Sequence, residues 1–195
     1  MTFRLGLTGG IGMGKTTTAA LFGEHGVPVW DADAAVHRLY QPGGAAVGPV
    51  SALFPAALSP AGGIDRAGLK SALAGDAAAL RRLESVVHPL LRADRAAFLA
   101  DHAGARVVLF DIPLLFETGL DAEMDGTATV SIDVANQRTR VLARGTMTGP
   151  MLDQILSRQL SDADRRARAG WIIPTDTPES ARAAVDAILS EIADA

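Results

Sequence analysis

The chain has 195 residues, 48% hydrophobic and 21% charged, a composition that supports one globular domain, with or without an insertion. A net charge of −4, with no dominant basic tract, argues against a general nucleic-acid binder. The absence of cysteine excludes disulfides, thiol nucleophiles and thiolate metal sites, and the longest apolar runs, such as VVLF at 107–110, are strand-sized rather than membrane-sized.

FRLGLT (3–8) is a β-rich run that leads straight into GGIGMGKTTTA (9–19). KTTTAALFGEH (15–25) reads as a helix, with Gly26 in the position of a C-terminal cap. VPVW (27–30) predicts a second strand, followed by an acidic turn, DAD, at 31–33. Strand, glycine loop, helix, strand is the opening of a parallel α/β sheet. QPGGAA (41–46) interrupts this pattern, and no strand is expected before RVVLFD (106–111). Between them lie the helical patterns AGLKSALAG and DAAALRRLESVV, the second with Asp76 as N-cap. Pro89 is expected to end that helix and to open the next, LLRADRAAFLADH. This stretch, about 41–103, reads as a substrate-binding insert in a core of about 1–40 and 104–195. The sheet resumes with 106–111, TATVSID (127–133) and WII (171–173). Two helices, ANQRTRVLARG and TGPMLDQILSRQ, and the arginine-rich SDADRRARA separate the last two strands. A final helix from about Pro178 sets Val185, Ile188, Leu189 and Ile192 on one face.

Gly9, Gly14, Lys15 and Thr16 fit the pattern G-x-x-x-x-G-K-[ST]. Glycines let the backbone curl so that successive N–H groups point at phosphate oxygens, with the helix N-terminus behind them. In that arrangement Lys15 reaches the β- and γ-phosphates and the Thr16 hydroxyl ligates Mg²⁺. The preceding strand and following helix supply the required context; a glycine-rich structural turn is the plainer alternative. Of the eighteen lysines and arginines, only Lys15 and Lys70 are lysine. Lysine is a compact point charge on a thin stem, which a loop wrapped round phosphates has room for, whereas arginine is a broad fork. Asp111, directly after VVLF, is a carboxylate at a strand end; it can hold magnesium through water, or serve only turn chemistry.

A phosphate loop can serve transfer, motion or a switch. No guanine-reading N/T-K-x-D motif is present, and the chain is small for an ATP-driven motor, so a kinase is the best-supported class. Transfer to a hydroxyl needs a carboxylate that accepts the proton. Asp31 and Asp33 are candidates, although DAD could equally cap the helix AAVHRLY. Two residues apart, they would share a strand face, so spacing does not rank them. Arg138, Arg140, Arg144, Arg158, Arg165, Arg166 and Arg168 form an arginine-dense region. Arg140 and Arg144 share a helix face and could close over a nucleotide, the alternative being a solvated surface.

With these motifs assembled, the chain resembles the dephospho-CoA kinase family almost end to end. The matching stretches are LGLTGGIGMGKTT (5–17), VPVWDAD (27–33), GGIDRAGL (62–69), LESVVHPLL (83–91) and VVLFDIPLLFE (107–117), while QRTRVLAR (137–144) is similar to the family's lid signature. The resemblance implies phosphorylation by ATP of the ribose 3′-hydroxyl of dephospho-CoA, the last step of coenzyme A biosynthesis. It implies an α/β fold, a P-loop NTPase-type parallel sheet flanked by helices, with the helical insert receiving the CoA moiety and a helical lid over about 136–168. Asp33 would be the general base, and Lys15 and Arg140 would assist the transfer. Gly9, Gly12, Met13, Gly14, Lys15, Thr16 and Thr17, with Arg144 of the lid, would bind ATP, and Thr16 and Asp111 would contact Mg²⁺. Asp33, Arg66, His88, Asp111 and Leu115 would meet dephospho-CoA, His88 also being readable as a plain helix-junction residue before Pro89. His25, His37 and His102 match nothing and are expected at the surface. ATP, Mg²⁺ and dephospho-CoA are thus the implied ligands, with no nucleic acid, membrane or obligate protein partner expected, and a cytoplasmic location. The chain departs from the family pattern at Met13 (usually serine), Gly145 (often aspartate), Gln154 (often arginine) and Ile173-Pro174-Thr175 (commonly IDN). The backbone at position 13 is expected to matter more than the side chain. Alternative readings are a P-loop kinase for another small hydroxyl acceptor, such as a nucleoside, and a nucleotide-binding regulator without transfer, which an intact Asp33 argues against.

Overall fold

The computed structural model describes residues 1–145, 147–157 and 159–194; Arg158, in the arginine-dense region, lies outside the described residues. The chain forms two compact units, residues 1–30 with 102–195, and residues 31–101.

The first unit is built on a parallel sheet in which the run VVLFD (107–111) is buried at every residue, as a parallel strand covered on both sides must be. Central β1 (Phe3–Thr8) pairs in parallel with β3 (Val107–Asp111) on one side and β4 (Gly126–Ser131) on the other. β4 pairs in parallel with β5 (Trp171–Pro174), and β2 (Val29–Asp31) completes the order β2-β3-β1-β4-β5. Leu7 is in register with Asp111 and Thr8 with Thr129, so the C-terminal ends of β1, β3 and β4 open at one sheet edge. The chain runs outward from β1 to both sides, which makes that edge a topological switch point. α1 (Lys15–Glu24) and α9 (Pro178–Asp194) lay Leu21, Phe22, Val185, Ile188 and Ile192 against Leu5, Leu7, Leu109 and Val130. Each such fully buried side chain contributes roughly 1.5–3 kcal/mol. The expected stop of α1 at Gly26 is a Schellman closure: Val27 N–H donates to Phe22 O (3.2 Å) and Gly26 N–H to Gly23 O (2.9 Å). Among the described residues this unit also carries the α-helices α6 (Val134–Ala143), α7 (Gly149–Leu156) and α8 (Asp162–Arg168).

The second unit is helical: α2 (Ala32–Tyr40), α3 (Val47–Leu53), a 3-10 turn (Pro55–Ala57), α4 (Arg66–Leu73) and α5 (Ala77–Asp101). Its core gathers Leu39, Val50, Phe54, Ile64, Leu69, Leu83 and Val87. Asp76 caps α5 as expected, accepting from Ala78 N–H (2.8 Å) and Ala79 N–H (2.9 Å). Those backbone donors, Ala79 foremost, hold its carboxyl below the usual carboxylate range.

Two expectations are corrected here. Pro89 does not end a helix, because α5 runs unbroken from Ala77 to Asp101 with Pro89 inside it. A proline breaks a helix locally, but Leu83, Val87, Leu90 and Leu91 form one apolar stripe across the junction, and burying that stripe outweighs the lost backbone bond. Pro89→Ala restores the donor at position 89 and is expected to stabilise the protein by up to about 3 kcal/mol, read as a rise in urea midpoint. Nor is DAD a turn. Asp31 closes β2 and its carboxylate accepts from Ala34 N–H (2.9 Å), while Asp33 lies in the first turn of α2. The helix starts between the two acids, so they do not share a strand face. Of the three unmatched histidines, His25 and His37 are exposed, whereas His102 is half-buried.

Candidate functional site: the glycine loop and its supports

The loop between β1 and α1 can take its path only with glycines. Gly12 (φ 76°) and Gly14 (φ 92°) adopt left-handed backbone, Gly14 being the N-cap of α1. A Cβ on Gly9 would overlap Val130 of β4, and one on Gly12 would overlap Val141 of α6. α1 carries no acidic residue in its first turn, so its N-terminal N–H groups and dipole are left for an external anion. Thr16 and Thr17 are exposed there, and neither hydroxyl bonds to another described residue. Lys15 Nζ donates to Asp111 Oδ1 at 2.5 Å, with the lysine side chain 15% exposed and the aspartate 2%. An ammonium has three donors, so two remain for phosphate oxygens.

The supports behind the loop come from segments that no spacing rule links to it. Thr175 Oγ donates to Met13 O (2.7 Å), and Gln137 Nε2 of α6 donates to Ile11 O (2.9 Å). Thr175 is the last residue of the divergent Ile173-Pro174-Thr175, so this departure falls on a direct support of the loop. Met13 is only 1% exposed, and its side chain belongs to the sheet core. Its side chain therefore packs into the core while its backbone carbonyl takes the Thr175 bond. Arg165 of α8 is also buried, with Nη2 3.7 Å from Met13 Sδ and Nη1 donating to Leu160 O (2.5 Å). Ser161 caps α8, its hydroxyl bonding Asp164 N–H (3.1 Å) and the Asp164 carboxylate (2.6 Å). That Ser-x-x-Asp signature was the one sequence signal for this helix start, and it fixes where Arg165 falls.

The remaining arginines divide by what they touch. Arg140 Nη2 donates to Thr175 O (2.9 Å) and Asp176 O (3.2 Å), docking α6 on the segment after β5. Arg138 Nη1 pairs with Asp153 Oδ1 (2.6 Å), joining α6 to α7. Arg144, at the C-cap of α6, is exposed; its backbone N–H donates to Val141 O (3.3 Å), while its guanidinium makes no hydrogen bond or ion pair with described residues. The next residue, Gly145, has φ +65°, a left-handed stop in which an aspartate would be strained. Arg166 and Arg168 are exposed, as is Gln154. Leu115, expected to meet the acceptor, is 0% exposed, and its methyl group lies against Gly6. It is a packing residue because the turn after β3 folds back onto β1.

In the helical unit Asp33 is exposed, and its carboxylate is bonded to no described residue. Asp31 differs in that its carboxylate already caps α2. Arg66 opens α4 at the surface; burial pushes the Tyr40 phenol up, and the charge of Arg66 draws it back. His88 is exposed within continuous α5, so the helix-junction reading does not apply. Among the described residues there is no group of three or more His, Cys, Asp or Glu side chains placed to hold a metal, and no helix is long and apolar enough to cross a membrane.

The dephospho-CoA kinase family model matches residues 3–180 of the chain. A dephospho-CoA kinase of Cereibacter sphaeroides is 60% identical over 190 residues, covering 97% of this chain and 95% of the relative. A Thermus thermophilus protein of known structure superposes with a TM-score of 0.87 at 32% identity, covering 97% of each chain. A dephospho-CoA kinase structure from Campylobacter jejuni has the same fold, with a TM-score of 0.68 at 18% identity over 98% of this chain and 97% of the other.

Proposed function

The chain belongs to the dephospho-CoA kinase family, and from that premise we propose how its residues share the ATP-dependent phosphorylation of dephospho-CoA in coenzyme A biosynthesis. The acceptor is the ribose 3′-hydroxyl. Its oxygen attacks the γ-phosphorus of ATP as the bond to the β–γ bridging oxygen breaks, releasing ADP, and its proton passes to Asp33. The observation that carries this reading is Lys15 at the mouth of the glycine loop, its ammonium beside the strand-end carboxylate of Asp111.

The loop N–H groups and the N-terminus of α1 hold the phosphates of ATP, and Lys15 follows the charge that develops on the transferring group. Thr16 and Asp111 suit magnesium, since a hydroxyl and a single carboxylate are hard oxygen donors that leave its other positions to water and phosphate. Magnesium held there would supply charge neutralisation for the transferring phosphate. Arg144, whose guanidinium has no partner among the described residues, reaches the nucleotide, while Arg140 anchors the helix that carries both. Arg66 and His88 in the helical unit contact dephospho-CoA, and the protein works in the cytoplasm.

The test is an acceptor panel under fixed Mg²⁺ and ATP, comparing dephospho-CoA with nucleosides and with other small alcohols. Dephospho-CoA is expected to give the highest kcat/KM, and activity is expected to vanish with EDTA and return with Mg²⁺. A nucleoside that outperforms dephospho-CoA would redirect the assignment to another kinase.

A further inference from the structure

We propose that Arg165 is a positioning residue for the nucleotide: a buried cation behind the phosphate loop whose counter-charge is the polyphosphate of the bound ligand. This rests on the reading of the loop as an ATP site.

Arg165 is 3% exposed, yet no carboxylate among the described residues lies within ion-pair distance of it. Nη1 donates to the carbonyl of Leu160 (2.5 Å), Nη2 is 3.7 Å from the Met13 thioether, and Nε is buried with no partner. A carbonyl and a thioether accept hydrogen bonds without cancelling a charge. Asp162 could have done so, but its Oδ2 accepts from Ser131 Oγ (2.8 Å) and its Oδ1 is buried without a partner. Burial pushes the Arg165 guanidinium down from its ordinary value, with Asp162, Glu117 and Asp164 drawing it back from beyond contact distance. A guanidinium stays protonated even so, and an incompletely compensated buried cation destabilises the ligand-free protein.

Its position gives that cost a purpose. A Cβ built on Gly10 would stand 2.7 Å from Nη2, so the guanidinium lies directly against the backbone of the loop. A fixed positive charge there adds to the field of the loop N–H groups and of Lys15, in surroundings that screen it poorly. A side chain needed only to fill the space could have been neutral.

The test compares Arg165→Met, of similar reach but uncharged, with Arg165→Lys, which keeps the charge and loses the fork. Measured are the ATP dissociation constant, the Tm of the free protein, its rise with saturating ADP, and the KM for dephospho-CoA. For Arg165→Met, ATP binding is expected to weaken about 10- to 30-fold, as a charge lost within several ångströms of phosphate predicts. The ADP-induced rise in Tm shrinks, while the free-protein Tm stays level or increases and the KM for dephospho-CoA is unchanged. Arg165→Lys retains ATP affinity within about three-fold. A lower free-protein Tm with unchanged ATP affinity overturns the proposal. So does failure of Arg165→Met to fold, which would make the guanidinium a structural strut, and so does Arg165→Lys losing as much affinity as Arg165→Met. Wild-type protein assayed alongside separates the two levels. If it binds ATP but makes no coenzyme A, the functional reading fails; if it is active and Arg165→Met is indistinguishable from it, only this inference fails.

Discussion

Asp33→Asn is expected to lower kcat by about 10²- to 10⁴-fold, the range a positioned general base supplies, while ATP affinity stays near that of the unchanged protein. Asparagine keeps the size of the side chain and its fit in the first turn of α2 but cannot take a proton. The informative control is Asp31→Asn. Asp31 accepts Ala34 N–H through Oδ1, and asparagine is an equally good N-cap, so that variant should lose little stability and little turnover. Steady-state kinetics on both variants, with ATP binding measured by titration, ranks two acids that sequence spacing leaves level. Equal losses in the two variants, or near-normal turnover in Asp33→Asn, would remove Asp33 from the base role.

Lys15→Met should cut kcat by about 10²- to 10³-fold, comparable to removing one preorganised donor from a transition-state oxyanion. It should also destabilise the fold, because the Asp111 carboxylate, 2% exposed, loses the ammonium 2.5 Å away. Removing one partner of a buried pair costs about 3 kcal/mol. Stability separates from activity in the double variant Lys15→Met with Asp111→Asn, in which the buried charge is gone as well; Asp111→Asn alone, which loses its own magnesium contact, is the reference for turnover. Stability should largely return in urea unfolding while activity does not. A double variant that regains turnover would show that the loss came from misfolding of the loop rather than from the missing ammonium.

Sequence made the sheet and the glycine loop legible because their rules are local. A strand of Leu5 and Leu7, glycines at positions where any Cβ would collide with Val130 or Val141, and a lysine opening a helix sit within a dozen or so residues, and each implies the next. The same held for the caps at Asp76 and Gly26, where one residue type meets one backbone need. Local rules failed where distant packing overruled them. Pro89 carries the same chemical signal whether or not its helix continues, and only the apolar stripe on either side of it decides the outcome. DAD is not a turn because the helix begins two residues before AAVHRLY, at Ala32, with Asp31 itself as the cap. The supports of the loop, Thr175, Gln137 and Arg165, were invisible for a different reason. They arrive from residues more than a hundred positions away, and only the sheet order brings the end of β5 and the helices before it against the loop. Once Met13 is seen in the core, the divergent positions 13 and 175 become a bonded pair instead of two isolated departures.

The central claim is that the loop holds ATP so that its terminal phosphate goes to one hydroxyl of dephospho-CoA. The most direct measurement is ³¹P NMR of the protein incubated with ATP, Mg²⁺ and dephospho-CoA, with the phosphorylated position assigned by coupling to the ribose protons. ADP and a ribose 3′-phosphomonoester should accumulate in equal amounts, and neither should form at an appreciable rate without dephospho-CoA. ATP consumed at the same rate with and without the acceptor, or a phosphate found on any other atom, would contradict it.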